Sequence, residues 1–159
     1  MTKINLGQDI SYNPDEKGYV MFDVTNYVPE QLSQIVDGVE LFPKNEYHSS
    51  LLSMERYIEN KDEALRIAHS IKEYLQSHTL QFAGLGSERY VCRRDERMTL
   101  VAPVIIDGID EFRAFISSLI PEFDPPFSHI TLLKSKATEF GIGINSMSDL
   151  AQYCTLLDQ

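Results

Sequence analysis

Two of the four histidines in this chain stand in one repeated context, His48-Ser49-Ser50-Leu51-Leu52 and His129-Ile130-Thr131-Leu132-Leu133. In an extended chain residues i and i+2 point to one face, so His48 projects with Ser50 and His129 with Thr131. Ser49 and Ile130 turn the other way. An imidazole gives or takes a proton near neutral pH, and a hydroxyl beside it donates a hydrogen bond to an anionic oxygen. Two such pairs facing each other would hold a phosphodiester between a base and an acid, with hydroxyls on its non-bridging oxygens. That arrangement requires no metal. A single His-x-Thr on a strand is more often a hydrogen-bonded structural histidine, and the repeat is what changes the weighing. A histidine is followed by x-[Ser/Thr]-Leu-Leu roughly once in a thousand cases at average residue usage.

The elements that must carry these residues are readable from pattern. Residues 1–17 are polar with the turn-like "NPDEKG" and read as a loose N-terminal arm, followed by the β-branched and aromatic strand "GYVMFDVT" at 18–25. Pro29 then opens a short helix with Leu32, Ile35 and Val36, which stops at Asp37-Gly38. After the "EYHSSLLS" strand, Asn60 with Glu63 three residues on resembles a capping box for the longest helix, about 61–77. Its apolar residues Ala64, Ile67, Ala68, Ile71 and Leu75 share one face. "TLQFAGLG", "ERYVCRR" and "RMTLVAPVII" read as strands, with Gly84 and Gly86 in one turn and Asp95-Glu96 in another. An amphipathic helix near 109–120 carries Ile109, Phe112, Ile116, Leu119 and Ile120, and Pro121 ends it before the "FSHITLLK" strand. A short helix around Ser148 to Gln152 and a last strand, "YCTLLD", close the chain. Each histidine strand sits beside a helix and further strands. The fold class is therefore α+β, with a weak internal duplication and mostly antiparallel strands, in a single bilobal domain over residues 18–159.

Composition limits the partners. The 159 residues carry a formal net charge of -10. Wrapping long nucleic acid depends on many Lys and Arg contacts to phosphate, so that partner is excluded, while one nucleotide or a chain end in a locally basic cleft is not. Cys92 and Cys154 are the only cysteines; they provide neither a disulfide framework nor a four-cysteine zinc site. The opening "MTKINLGQDI" has no apolar signal core, and no segment is long enough to span a bilayer. A cytoplasmic, reduced protein is expected, monomeric and without membrane contact.

Other residues carry weaker signals. His69 lies opposite the apolar stripe of its helix and reads as solvent-exposed, and His78 stands near that helix's C-terminal end, where the dipole favours it. Neither has the Asp or Glu spacing of a metal ligand, so no metal and no cofactor is expected. Arg93, Arg94, Arg97 and Lys134 are the nearest thing to a basic cluster. Lys134 directly follows the second motif, and with Arg93 it is a candidate contact to substrate. Tyr47, Tyr57, Tyr90 and Phe127 have the rings to stack a base, although aromatics in strands more often pack in the core.

The paired motifs, with the long helix, "LQFAGLGSERY", paired strands, a second helix and "PPFSHITLL" between them, resemble the two-histidine phosphoesterases, which include the bacterial RNA ligase-like cyclic phosphodiesterases. The resemblance covers about residues 18–134. Ser50 stands where threonine is commoner. The resemblance implies a bilobal fold of pseudo-twofold duplicated antiparallel sheets with flanking helices. It also implies metal-independent hydrolysis of a 2',3'-cyclic phosphate on a small nucleotide or RNA end. One of His48 and His129 would activate water and the other would protonate the departing ribose oxygen, while Ser50 and Thr131 bind phosphate oxygens. Two other expectations compete: a nucleotide- or RNA-end-binding module of the same fold without turnover, and an unrelated α+β interaction domain with structural histidines.

Overall fold

The computed structural model describes residues 3–24, 28–136, 142 and 144–157. It is an α+β fold of two antiparallel sheets and three helices. The smaller sheet has four strands in the order β1-β2-β3-β6. These are β1 (Ile4–Gly7), β2 (Ile10–Asn13), β3 (Tyr19–Asp23) and β6 (His48–Ser53), the first histidine strand. The stretch read as a loose arm is thus half of this sheet. Leu6, Ile10 and Tyr12 are buried, and this apolar contribution is what holds the β1–β2 hairpin in place. Its turn is tied down as well: the Gln8 side-chain amide donates to the His78 carbonyl (2.8 Å) and its oxygen accepts from the Leu80 amide (3.0 Å).

The larger sheet has seven strands, ordered β11-β8-β9-β10-β5-β4, with β7 pairing with β9 off that path. Here β4 is Gln34–Val36 and β5 is Val39–Pro43. The helix expected after Pro29 is instead this hairpin. Asp37 (φ 50°) and Gly38 (φ 78°) both take left-handed conformations, the two-residue turn that Asp-Gly favours between antiparallel strands. Beyond it lie β7 (Gln81–Leu85), β8 (Tyr90–Arg94), the long β9 (Arg97–Asp107), β10 (His129–Lys134, the second histidine strand) and β11 (Cys154–Leu156). Gly84 lies inside β7 rather than in a turn, next to a register shift against β9.

Helix α1 (Lys61–Tyr74) begins at Asn60, whose side-chain oxygen accepts from the Glu63 amide, and it buries Ala64, Ile67, Ala68 and Ile71. Helix α2 (Ile109–Leu119) buries Phe112 and Ile116, and the short α3 (Met147–Tyr153) precedes β11. Gly108 opens α2 at φ 88°, with the Thr79 carbonyl oxygen only 2.4 Å from where a Cβ would stand. Residues from both sheets and from α1 and α2 share one apolar core. A second, smaller cluster joins Cys92, Val101, Ile142 and Ile144, with Tyr90, Phe127, Leu150 and Cys154 against it.

Cys92 and Cys154 are directly opposite in the β8–β11 ladder and form a disulfide. Two reduced thiols were expected, and the pairing brings them together across a separation of 62 residues. Among the described residues no helix is long and apolar enough to cross a membrane.

Candidate functional site

The two histidine strands belong to different sheets and lie against each other. Both break register at the same point of the motif. In the β3–β6 ladder Val20 pairs with Leu52 and Met21 with Ser50, which leaves Leu51 as an extra residue. In the β9–β10 ladder Val101 pairs with Thr131 and Leu100 with Leu133, which leaves Leu132 extra. Each motif therefore carries a bulge at its first leucine, a device that re-aims the residues around it. Burial agrees. Ser49, Leu51 and Leu52 are buried in β6, and Ile130, Leu132 and Leu133 are buried in β10. A regular strand cannot turn two adjacent leucines into the same core. The bulge does so, and it returns the next residue to the histidine face. His48, Ser50 and Ser53 share one face, and His129, Thr131 and Lys134 share the other.

His129 is held firmly. Its Nδ1 lies 2.7 Å from the Phe127 carbonyl. A carbonyl only accepts, so Nδ1 carries the hydrogen and Nε2 is left as the basic nitrogen. The Phe127 ring lies parallel to the imidazole, centroids 5.6 Å apart, and Tyr90 meets Phe127 edge-on. From α2, Arg113 donates to the Pro126 carbonyl (2.9 Å) and to Ser128 Oγ (2.8 Å), fixing the segment that leads into His129. The His48 side chain makes no hydrogen bond among the described residues. Ser50 Oγ is buried without a hydrogen-bond partner among them, as are Ser49 Oγ and Thr99 Oγ1 inside the core. Thr131 is 9 % exposed.

Burial pushes the His48 imidazole below the ordinary histidine value and the Lys44 charge pushes the same way, while Glu16, Glu46 and Asp23 oppose. Burial also lowers His129; its hydrogen bond to Phe127 opposes, and the charges of Lys44 and His48 lower it further. The two histidines therefore stand within electrostatic reach of each other and of one lysine.

That lysine carried no signal in the sequence. β5 ends at Pro43, paired with Leu133 of β10, and the chain then crosses from the large sheet to the small one in the four residues before His48. Lys44 opens that crossing. The other expected contacts divide. Lys134 acts on Lys44 through its charge. Phe127 packs on His129 itself. Tyr47 is buried in the core, at 8 % exposure. Arg93 pairs with Asp37 at the tip of the β4–β5 hairpin, Arg94 lies over the Tyr153 ring and Arg97 pairs with Asp95 at 3.6 Å. Tyr57 meets Phe123 edge-on.

No family model, no curated protein and no solved structure matches this chain.

Proposed function

We propose that the protein is a metal-independent phosphodiesterase of the two-histidine type, opening a 2',3'-cyclic phosphate on a small nucleotide or RNA end. The observation that carries this reading is the pair of motif strands. Each is bulged at the same leucine, and together they bring His48 and His129 within each other's electrostatic reach. A pseudo-twofold duplication of the two halves is part of the reading, and the matching bulges support it.

In the reaction, His129 Nε2 takes a proton from water as the water oxygen attacks phosphorus. His48 gives a proton to the ribose oxygen as its bond to phosphorus breaks. The roles follow from surroundings. His129 has its Nδ1 hydrogen fixed on a carbonyl and a basic nitrogen left over. Burial and the Lys44 charge lower His48, but Glu16, Glu46 and Asp23 act against them, whereas no carboxylate among the described residues acts on His129. Ser50 and Thr131 donate to the non-bridging oxygens. Phe127 packs against His129 beside the seat, and the acidic chain favours a small substrate over long RNA.

A binding module without turnover is the second reading, and one observation favours it. Burial drives both imidazoles toward neutrality, which supplies two bases and no acid. The cytoplasmic monomer belongs to the first reading, and the Cys92–Cys154 bond sits least well with it, since reducing compartments keep thiols apart.

The test is a panel of 2',3'-cyclic nucleotides, 2'-5' linked oligonucleotides and RNA ends bearing a cyclic phosphate, assayed with chelator present. Turnover of a cyclic phosphate supports the enzyme. Saturable binding of the same compounds without turnover selects the module.

A further inference from the structure

We propose that Lys44 is the anion-binding cation of this cleft, seating a phosphoryl group against the two imidazoles with Lys134 and the Ser50 hydroxyl, unpartnered among the described residues, beside it. The inference rests on reading the cleft as a phosphate site.

The placement comes from backbone topology. Pro43 is the last paired residue of β5, opposite Leu133, so Lys44 leaves the large sheet alongside the second motif. Four residues later the chain enters the first motif at His48. Those four residues link β5, the neighbour of the second motif strand, to the first motif strand. Lys134 reaches the same space because Leu132 is bulged out of register, which turns residue 134, rather than 133, to the face of His129 and Thr131.

The charges then conflict unless an anion is bound. Lys44 is half-buried and forms no ion pair among the described residues. Burial and the like charge of Lys134 pull its ammonium below the usual lysine range, with Glu46 acting the other way. Lys44 in turn disfavours a second positive charge on both His48 and His129. Glu16 and Asp23 bear on His48, and Glu46 bears on both His48 and Lys44 without forming an ion pair with Lys44. A partly desolvated amine without a close counter-ion is costly in a resting protein. A phosphoryl oxygen removes that cost, because it accepts a charge-assisted hydrogen bond from the amine. Its negative charge also offsets the repulsion felt by the imidazoles, so binding is accompanied by proton uptake on the histidines.

The experiment follows the imidazole C2–H resonances of the intact protein through pH titrations, without ligand, with inorganic phosphate and with adenosine 2'-monophosphate. In the ligand-free Lys44→Gln variant both His48 and His129 should titrate at higher pH than in the parent, since a like charge is gone. In the parent, phosphate should raise both. Phosphate affinity should fall about 10- to 100-fold in Lys44→Gln, the range expected for one hydrogen bond to a charged group, and should be largely kept in Lys44→Arg. Tighter binding of the nucleotide than of phosphate would identify the nucleotide as the source of the anion, and equal binding would identify the phosphoryl group alone. Equal phosphate affinity in parent and Lys44→Gln, histidine titrations unmoved by the substitution, or no binding to the parent would each overturn the proposal. Phosphate binding that depends on Lys44 in a protein with no turnover would refute the phosphodiesterase and leave this site standing.

Discussion

Replacing the two histidines separately should give equal losses of activity and unequal losses of stability. His129→Ala removes the hydrogen bond from Nδ1 to the Phe127 carbonyl, 2.7 Å long, and the parallel ring contact at 5.6 Å. The first contributes about 0.5–1.5 kcal/mol and the second a similar amount, so the variant should be about 1–3 kcal/mol less stable. For a chain of this length that lowers Tm by roughly 3–10 °C. The His48 side chain makes no hydrogen bond among the described residues, and His48→Ala should melt within about 3 °C of the parent. If both groups transfer protons, each variant should lose about 10²- to 10⁴-fold in turnover of a cyclic phosphate. The double variant should lose less than the product, because both groups act in one transition state. Melting curves and rates measured on the same preparations well below Tm decide it. A His48→Ala protein within tenfold of the parent rate would refute the proton-transfer pair, and an activity loss confined to His129→Ala would make that residue structural.

Ser50→Ala and Thr131→Ala each remove one donor to an anionic oxygen and should cost about 10- to 100-fold in kcat/KM, measured on the best substrate of the panel. Leu132→Ala empties a side chain that is 2 % exposed and should cost about 3 kcal/mol, read as a Tm drop of roughly 10 °C. Deleting Leu132 removes the bulge and restores plain alternation, with Leu133 facing the core and Lys134 still on the His129 face, so phosphate binding in a calorimetric titration should be kept. Both histidines have folded-state values lowered from the ordinary 6.5, so on acidification the unfolded chain protonates first. The stability gained by keeping them neutral is full above about pH 6.5 and is lost as pH falls below it. Tm should therefore fall on acidification through that region, and less steeply in His129→Ala.

The sequence made the two paired motifs legible and hid how the fold holds them. His48, Ser50, His129 and Thr131 announce themselves because period-two alternation is a local property. The following leucines are visible as a repeat, but a bulge exists only against a partner strand, and nothing in residues 129–133 says which residue Val101 will face. Helices α1 and α2 were readable from spacing, the first also from its Asn60 cap. The Asp37-Gly38 pair reads as a helix stop because Leu32, Ile35 and Val36 mimic a helical face over one turn. Leu32 and Ile35 are in fact exposed, at 79 % and 72 %. The first strands are hard to read because the turn residues around Pro14 outweigh three well-separated apolar positions, Leu6, Ile10 and Tyr12. Lys44 had no local signal at all. Its role is set by where two sheets meet.

The Cys92–Cys154 bond closes the backbone into a covalent loop, and the loop has an inside and an outside. His129, Thr131, Lys134, Arg113 and Phe127 all lie between the two cysteines in the chain, whereas Lys44, His48 and Ser50 lie before the first. Each motif strand therefore has a different polymer behind it, one circular and one linear. Closing a loop of 62 residues restricts the unfolded chain by about 4 kcal/mol on the chain-entropy account, and the ring that gains this tether holds the second motif alone. Thermal fraying should accordingly begin on the linear side, among the strands that carry His48. The two motif strands would part with one lost from its sheet while the other stays whole.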